Sequence, residues 1–176
     1  MDNMNSKTKV VTGTNTRLSN FHGWDPVSIN GRSEMYSVSV LIPKEDTATV
    51  NAINVAIDAA IEEGIEKFGG KMPNKAAIRI PLRDGDVESD DEAYKGHWFI
   101  NANSNTPPGI VDRDLKPILD RSEVYSGCYA RVSLNFYAFN VYGNKGVACG
   151  LCNIQKVRDG ESLDGRTNAV DDFVSL

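Results

Sequence analysis

The sequence predicts a mainly β domain with one prominent amphipathic helix, arranged as an elaborated small barrel of five or more strands. Three observations carry this: several short segments alternate apolar and polar residues, one segment alone has helical spacing, and a long hairpin dominates the second half. Open sheet edges invite aggregation, and a strand-rich chain escapes this by closing the sheet. At 176 residues the chain suits one domain with a sizeable core.

Segments 7–17 and 35–42 read as strands. In the second, Tyr36, Val38, Val40 and Ile42 fall on one face, Ser37 and Ser39 fall on the other, and Pro43 ends it. From Thr49 the spacing changes to three or four through Val50, Ile53, Ile57, Ile61, Ile65 and Phe68, with Asp58, Glu62, Glu63 and Glu66 opposite. This is a helix with an acidic outer face, laid over a sheet and stopped by Gly69-Gly70. Segment 76–82 reads as a short strand, and the stretch 84–92 as a mobile, solvated acidic loop. Segment 95–103 places Trp98, Ile100 and Ala102 on one side of a strand, with Lys95, His97, Phe99, Asn101 and Asn103 on the other. After the turn at Pro107-Pro108-Gly109, a hairpin runs from Cys128 to Val141, turns through the four residues Gly143 to Gly146, and returns over 147–157.

Charge is unevenly spread. The net charge of -5 argues against nucleic acid, but six acids lie in 84–92 and five in 159–176, and these segments contain only one base, Arg166. The remaining body therefore carries about +5, and binding follows the local field. Two readings of the acidic segments stay open: a tail that competes with anions for a basic groove, or solvated stretches that serve solubility. The N-terminal residues lack an apolar export signal and no long uncharged apolar run follows, so the expectation is a cytoplasmic protein without a membrane span. Three cysteines in such a chain read as reduced thiols.

Catalytic signatures are absent. Neither GxSxG, GxGxxG nor GxxxxGK[ST] occurs, and His22 and His97 sit in no metal-binding spacing. Cys149 and Cys152 lack a second pair, and on a strand they face opposite sides, so they read as structural thiols. No metal and no cofactor is expected. What remains is a surface. On the first hairpin strand Cys128, Ala130, Val132, Leu134, Phe136 and Ala138 belong inside, while Tyr129, Arg131, Ser133, Asn135, Tyr137 and Phe139 interleave rings, a guanidinium and amides outside. Such a face suits single-stranded nucleic acid, because rings stack on any base and cations follow phosphates. Lys145, Lys156 and Arg158 extend the charge, and Lys95 with Phe99 matches it on the neighbouring strand.

The segments GCYARVSLNFYAFN and GNKGVACGLCNIQKVRDGESLDGR and the ending VDDF resemble a tailed-phage family of single-stranded DNA-binding proteins. The likeness extends through PKEDTATVNAINVAIDAAIEEG and YKGHWFINANS across most of the chain. The resemblance implies an OB-like fold and a protein that coats single-stranded DNA during phage replication and recombination. On it the chain divides into an OB-like domain, 1–158, and an acidic C-terminal tail, 159–176. Asp171, Asp172 and Phe173 of that tail would dock on replication or recombination proteins. Many such proteins end in an aromatic residue, whereas here Val174-Ser175-Leu176 follow Phe173. Two rivals remain, and homo-oligomerisation stays open. A metal-dependent nuclease or phosphotransferase would use the carboxylates of 84–92, or Asp112 and Asp114, to hold Mg²⁺, and a virion adaptor would use the same rings to bind protein.

Overall fold

The structure, a computed structural model, describes residues 7–28, 31, 33–164 and 172–176. In chain order the strands and helices are β1 (Lys9–Val11), β2 (Arg17–Val27), β3 (Met35–Pro43), α1 (Thr47–Glu63), β4 (Arg83–Asp84), α2 (Gly85–Glu88), β5 (His97–Ser104), β6 (Gly109–Val111), β7 (Tyr129–Val141) and β8 (Asn144–Arg158). Five of these strands close a ring in which β2 pairs with β3, β3 with β5, β5 with β8, β8 with β7, and β7 with β2 again. Within the ring the β5–β8 contact, Asn103 against Gly150, is parallel and the other four are antiparallel. This OB-like ring of strands agrees with the fold expected from the sequence, and β1, β4 and β6 extend it from β7, β5 and β8.

The core follows from strand alternation. Ala130, Val132, Leu134, Phe136 and Ala138 are all buried, together with Val38, Val40, Ile42, Ile100 and Ala102. Ile53, Ile57 and Ile61 of α1 belong to the same cluster, so the helix covers the ring with its apolar stripe. Asp46 caps it, accepting bonds from the Thr49 amide at 3.2 Å and hydroxyl at 2.7 Å. The helix stops at Gly64, earlier than its spacing predicts, and a 3-10 turn over Ile65–Phe68 continues to Gly69. A Cβ at Gly64 would lie 2.3 Å from that of Ala138, so the helix end and β7 meet where no side chain fits.

Several local expectations are corrected. The strand expected over 7–17 is two strands, and β2 runs to Val27 although nothing in its sequence alternates. Its register shifts twice, and Asn20 adopts a positive φ of 46°, which breaks the period of two. Segment 76–82 forms a 3-10 turn over Lys75–Ala77 and a single parallel bridge from Arg79 to Gly146. The hairpin turns through two residues rather than four, because Val141 already pairs with Asn144. Tyr142 and Gly143, at φ 52° and 84°, make a turn of the type I′ class that matches strand twist.

The acidic stretch is also built rather than loose. It contains β4, α2 and a 3-10 turn over Glu92–Tyr94. Lys44 Nζ bridges Asp84 at 2.6 Å and Asp86 at 2.7 Å, and Arg83 pairs with Glu88. The ammonium beside them holds both aspartates below the usual carboxylate range. The two edges of the hairpin arm are likewise occupied. On one side Lys67 Nζ donates to the Ala138 carbonyl, and Asn140 donates to that of Lys67. On the other, the Arg79 amide donates to the Lys145 carbonyl, and Val147 donates to that of Arg79. Cys128, Cys149 and Cys152 are free thiols, and burial pushes that of Cys149 far up. Among the described residues no helix is long and apolar enough to cross a membrane.

Candidate nucleic-acid interface

The outward row of β7 follows the expected register. Tyr129, Arg131, Ser133, Asn135 and Phe139 are half-buried and Tyr137 is 45% exposed. They do not form one patch, because Tyr129 and Tyr137 are eight residues apart, about 27 Å along a strand.

At the Tyr129 end the structure gathers charge. The guanidinium of Arg158, opposite Tyr129 on β8, lies 4.0 Å from the centroid of its ring, and that of Arg17, opposite it on β2, lies at 5.6 Å. Tyr129 is therefore a platform for two cations. Each guanidinium is aimed by neutral acceptors. Arg158 donates to the Thr14 carbonyl and the Asn15 amide oxygen, Arg17 to the carbonyls of Gly127 and Glu161, and Arg131 to that of Thr12. Arg113 donates to Val157, next to Gln155, the cross-strand partner of Arg131. None of the four has a carboxylate partner among the described residues, so their charge is oriented but not cancelled.

The lysines fare differently. Lys156 pairs with the inward-facing Ala130 through a register shift and so leaves the arginine face. It bridges Glu123 at 3.0 Å and Asp159 at 2.6 Å. Burial works against its charge, but the two carboxylates outweigh that and hold its pKa above the ordinary lysine value. Lys95 lies in the turn before β5 rather than on the strand, and pairs with Glu92. Lys145 is exposed near the hairpin tip and pairs with Asn140, so it lies on the opposite face from Phe139.

Phe99 is a further correction. Its strand face is as expected, since Asn101 and Asn103 are exposed while Ile100 and Ala102 are buried. Its ring is nevertheless 8% exposed, because Tyr94 packs edge-on against it at 5.1 Å and Leu41 completes the cluster. Trp98, expected inside, is half-buried, with Lys44 Nζ 5.1 Å from its ring centroid.

Beyond this cluster the outer face of β2, β3 and β5 opens into a groove of about 340 Å³, lined by Asn20, His22, Ser37, Ser39, Asn101 and Asn103. Part of the lining is fixed: Ser39 donates to Asn101 at 2.6 Å, and the Tyr94 hydroxyl joins Ser19 and Asn20. His22, Ser37 and Asn103 carry no side-chain hydrogen bond among the described residues and line the open part of the groove. The groove leads toward β8, where Asn103 faces Gly150 and Gly150 faces Asn135. The Tyr137 ring lies beside Gly150, 3.8 Å from where a Cβ would stand. Sequence reading missed this groove, as it missed Arg17 and Arg113. The two arginines lie in segments with no alternation, and amides and hydroxyls on separate strands reveal nothing until the ring aligns them.

The segment 159–164, counted with the tail, is held on the body. Tyr125 bonds Asp159 and Gly160, Arg17 bonds Glu161, and the Leu163 amide bonds Ser126. Phe173 is 75% exposed and Asp172 is exposed, whereas Asp171 lies outside the described residues. Among the described residues no group of three or more His, Cys, Asp or Glu side chains is placed to hold a metal ion.

Residues 8–175 match the family model described by the single-stranded DNA-binding protein of Enterobacter phage Enc34. Protein p50 of Acyrthosiphon pisum secondary endosymbiont phage 1 is 32% identical over 158 residues, covering 86% of this chain and 84% of that relative. Among solved structures, the single-stranded DNA-binding protein of bacteriophage Enc34 in complex with ssDNA is similar, with a TM-score of 0.73 and 24% identity over 90% of each chain. So is gp2.5, a single-stranded DNA-binding protein encoded by bacteriophage T7, with a TM-score of 0.61 and 14% identity over 95% of this chain and 94% of that one.

Proposed function

The chain belongs to the family of the Enterobacter phage Enc34 single-stranded DNA-binding protein, and from that premise we propose that it binds single-stranded DNA with little sequence preference. It coats and protects strands exposed during phage replication and recombination in the host cytoplasm. Its family is one of binding proteins, not enzymes. One observation of the molecule supports this best: four guanidiniums without a carboxylate partner among the described residues gather at the Tyr129 end, and a groove lined by amides, hydroxyls and His22 opens on the outer face of β2, β3 and β5. Phosphates suit the first and unstacked bases the second. The groove lies on β3 and β5, the second and third strands of the ring, the face on which OB-folds take oligonucleotides. Arg131, Arg158 and Tyr137 keep the role read from the sequence, and Arg17, Arg113, His22, Ser37 and Asn103 join them.

The test is a titration with labelled oligonucleotides, single-stranded and duplex, at matched salt. Single strands bind more tightly, whatever their sequence, and affinity falls steeply as salt rises. Equal affinity for duplex would overturn the reading, since paired bases offer no faces to Tyr137.

The body carries the DNA site and the acidic C-terminal segment regulates it, with Asp171, Asp172 and Phe173 docking on a replication or recombination protein. Residues 159–164 are hydrogen-bonded to the body, so the deletion that tests the tail leaves them in place. Deleting 169–176 raises DNA affinity at low salt, by removing carboxylates that compete with phosphates, and the gain shrinks at high salt. The same deletion abolishes capture of a polymerase or recombinase. A truncated protein with unchanged affinity and intact capture would leave the tail as a solubility device.

A further inference from the structure

After β8 ends at Arg158, residues 159–164 lie as a strap on the wall formed by 124–127. The two are in backbone contact. A Cβ on Gly160 would collide with the Gly127 carbonyl oxygen and lie 2.9 Å from the Tyr129 ring, and one on Gly127, at φ 116°, would collide with the Glu161 carbonyl oxygen. The wall is itself fixed to β2: Gly127 donates to the Leu18 carbonyl at 2.8 Å, the Phe21 amide to the Ser126 hydroxyl at 2.9 Å, and Trp24 Nε1 to the Val124 carbonyl at 3.0 Å. A clasp holds the start of the strap. The Tyr125 hydroxyl lies 3.1 Å from the Asp159 carboxylate and 3.0 Å from the Gly160 carbonyl, and accepts from the Gly160 amide at 3.2 Å. Lys156 Nζ joins Asp159 to Glu123 and stands 5.8 Å from the centroid of the Tyr125 ring. Its side chain is only 11% exposed, so this cation is spent on the clasp and not open to a phosphate. At the other end the Leu163 amide donates to the Ser126 carbonyl at 2.9 Å. What the strap holds is Arg17, which donates to the Glu161 carbonyl at 2.7 Å and, through Nε, to that of Gly127 at 2.9 Å. A backbone carbonyl aims the guanidinium over Tyr129 without cancelling its charge.

We infer that the 159–164 strap is a working part of the DNA site, and that Lys156, Tyr125 and Asp159 are positioning residues whose clasp keeps Arg17 aimed at phosphate. The inference rests on the single-stranded DNA reading above and gives the C-terminal segment two parts of opposite sign. The acids of the tail lower affinity by competing with phosphate, whereas the strap raises it. An arginine already held before the strand arrives gives up less rotamer freedom on binding. Lys156 thus serves DNA binding without touching DNA.

The experiment measures affinity of the full chain for a labelled single-stranded oligonucleotide, with hydrogen exchange of the Leu163 amide reporting whether the strap is docked. Gly160→Ala lifts the strap by the collision with Gly127 while every charge and hydroxyl stays in place, and Tyr125→Phe keeps the ring but removes the clasp's hydroxyl. Both speed Leu163 exchange and lower affinity about tenfold, near the low end for one charge-assisted contact. Lys156→Met does the same. In the Arg17→Gln background none of the three adds a further loss, because the residue through which they act is gone, whereas a direct phosphate contact by Lys156 would add its own. Fast Leu163 exchange with wild-type affinity would overturn the inference, as would an equal loss in both backgrounds, and unchanged exchange in all three variants would overturn the clasp. Each of these leaves wild-type binding, and so the DNA reading, standing. Failure of wild type to bind the oligonucleotide would overturn both.

Discussion

Arg131→Gln together with Arg158→Gln lowers affinity for a single-stranded oligonucleotide by about 100-fold at low salt, a loss of about 2.7 kcal/mol. The magnitude follows from removing two charge-assisted contacts to phosphate, each worth about 1.5–3 kcal/mol, with part of the loss recovered by the glutamine donors. The plot of log affinity against log salt flattens by about 1.4, since each phosphate neutralised on a single strand contributes about 0.7. Thermal stability changes little, because a glutamine at 131 can donate to the Thr12 carbonyl from the place of the Arg131 Nε, and the Arg158 bond to Thr14 that is lost is exposed. The double variant measured across a salt series decides it. An unchanged slope would remove both arginines from the phosphate path.

Phe136→Ala destabilises the fold by about 3–5 kcal/mol through lost burial and the cavity left behind. Phe136 is 1% exposed at the centre of the inward row of β7, where α1 and the ring meet, so its neighbours cannot collapse into the space. Phe99→Ala also lowers stability, against the sequence-based expectation of a DNA contact on an open face. It does so by releasing Tyr94, whose hydroxyl joins Ser19 and Asn20 at the groove wall, so groove affinity falls with it. Chemical denaturation of both variants checks this. A stable Phe99→Ala protein with weakened DNA binding would restore the ring to the open face.

The alternation of β7 is legible because both of its faces are regular and its partner is the next strand in sequence. The inward Ala130-to-Ala138 row and the outward Tyr129-to-Phe139 row follow directly. β2 is illegible for the opposite reason: bulges around Asn20 and His22 remove the period, and pairing with β3 and β7 makes it a strand all the same. Phe99 shows a limit of alternation itself. Period two says which face a ring takes, but it cannot say that Tyr94 will cover that face. Charge reading has the same limit. Lys156 and Arg158 are equivalent in sequence, yet a single register shift sends the first to two carboxylates and leaves the second among carbonyls. The groove is collective, built from β2, β3 and β5, and no one segment announces it.

The bracing of the hairpin arm matters most when many copies share one strand of DNA. Proteins threaded side by side reach local concentrations at which any bare strand edge becomes a template for its neighbour. Here the 3-10 turn carrying Lys67 lies along one edge of the arm, and Arg79 is stitched to the other. Neighbouring copies can therefore crowd together at the arm without zipping into a continuous sheet there.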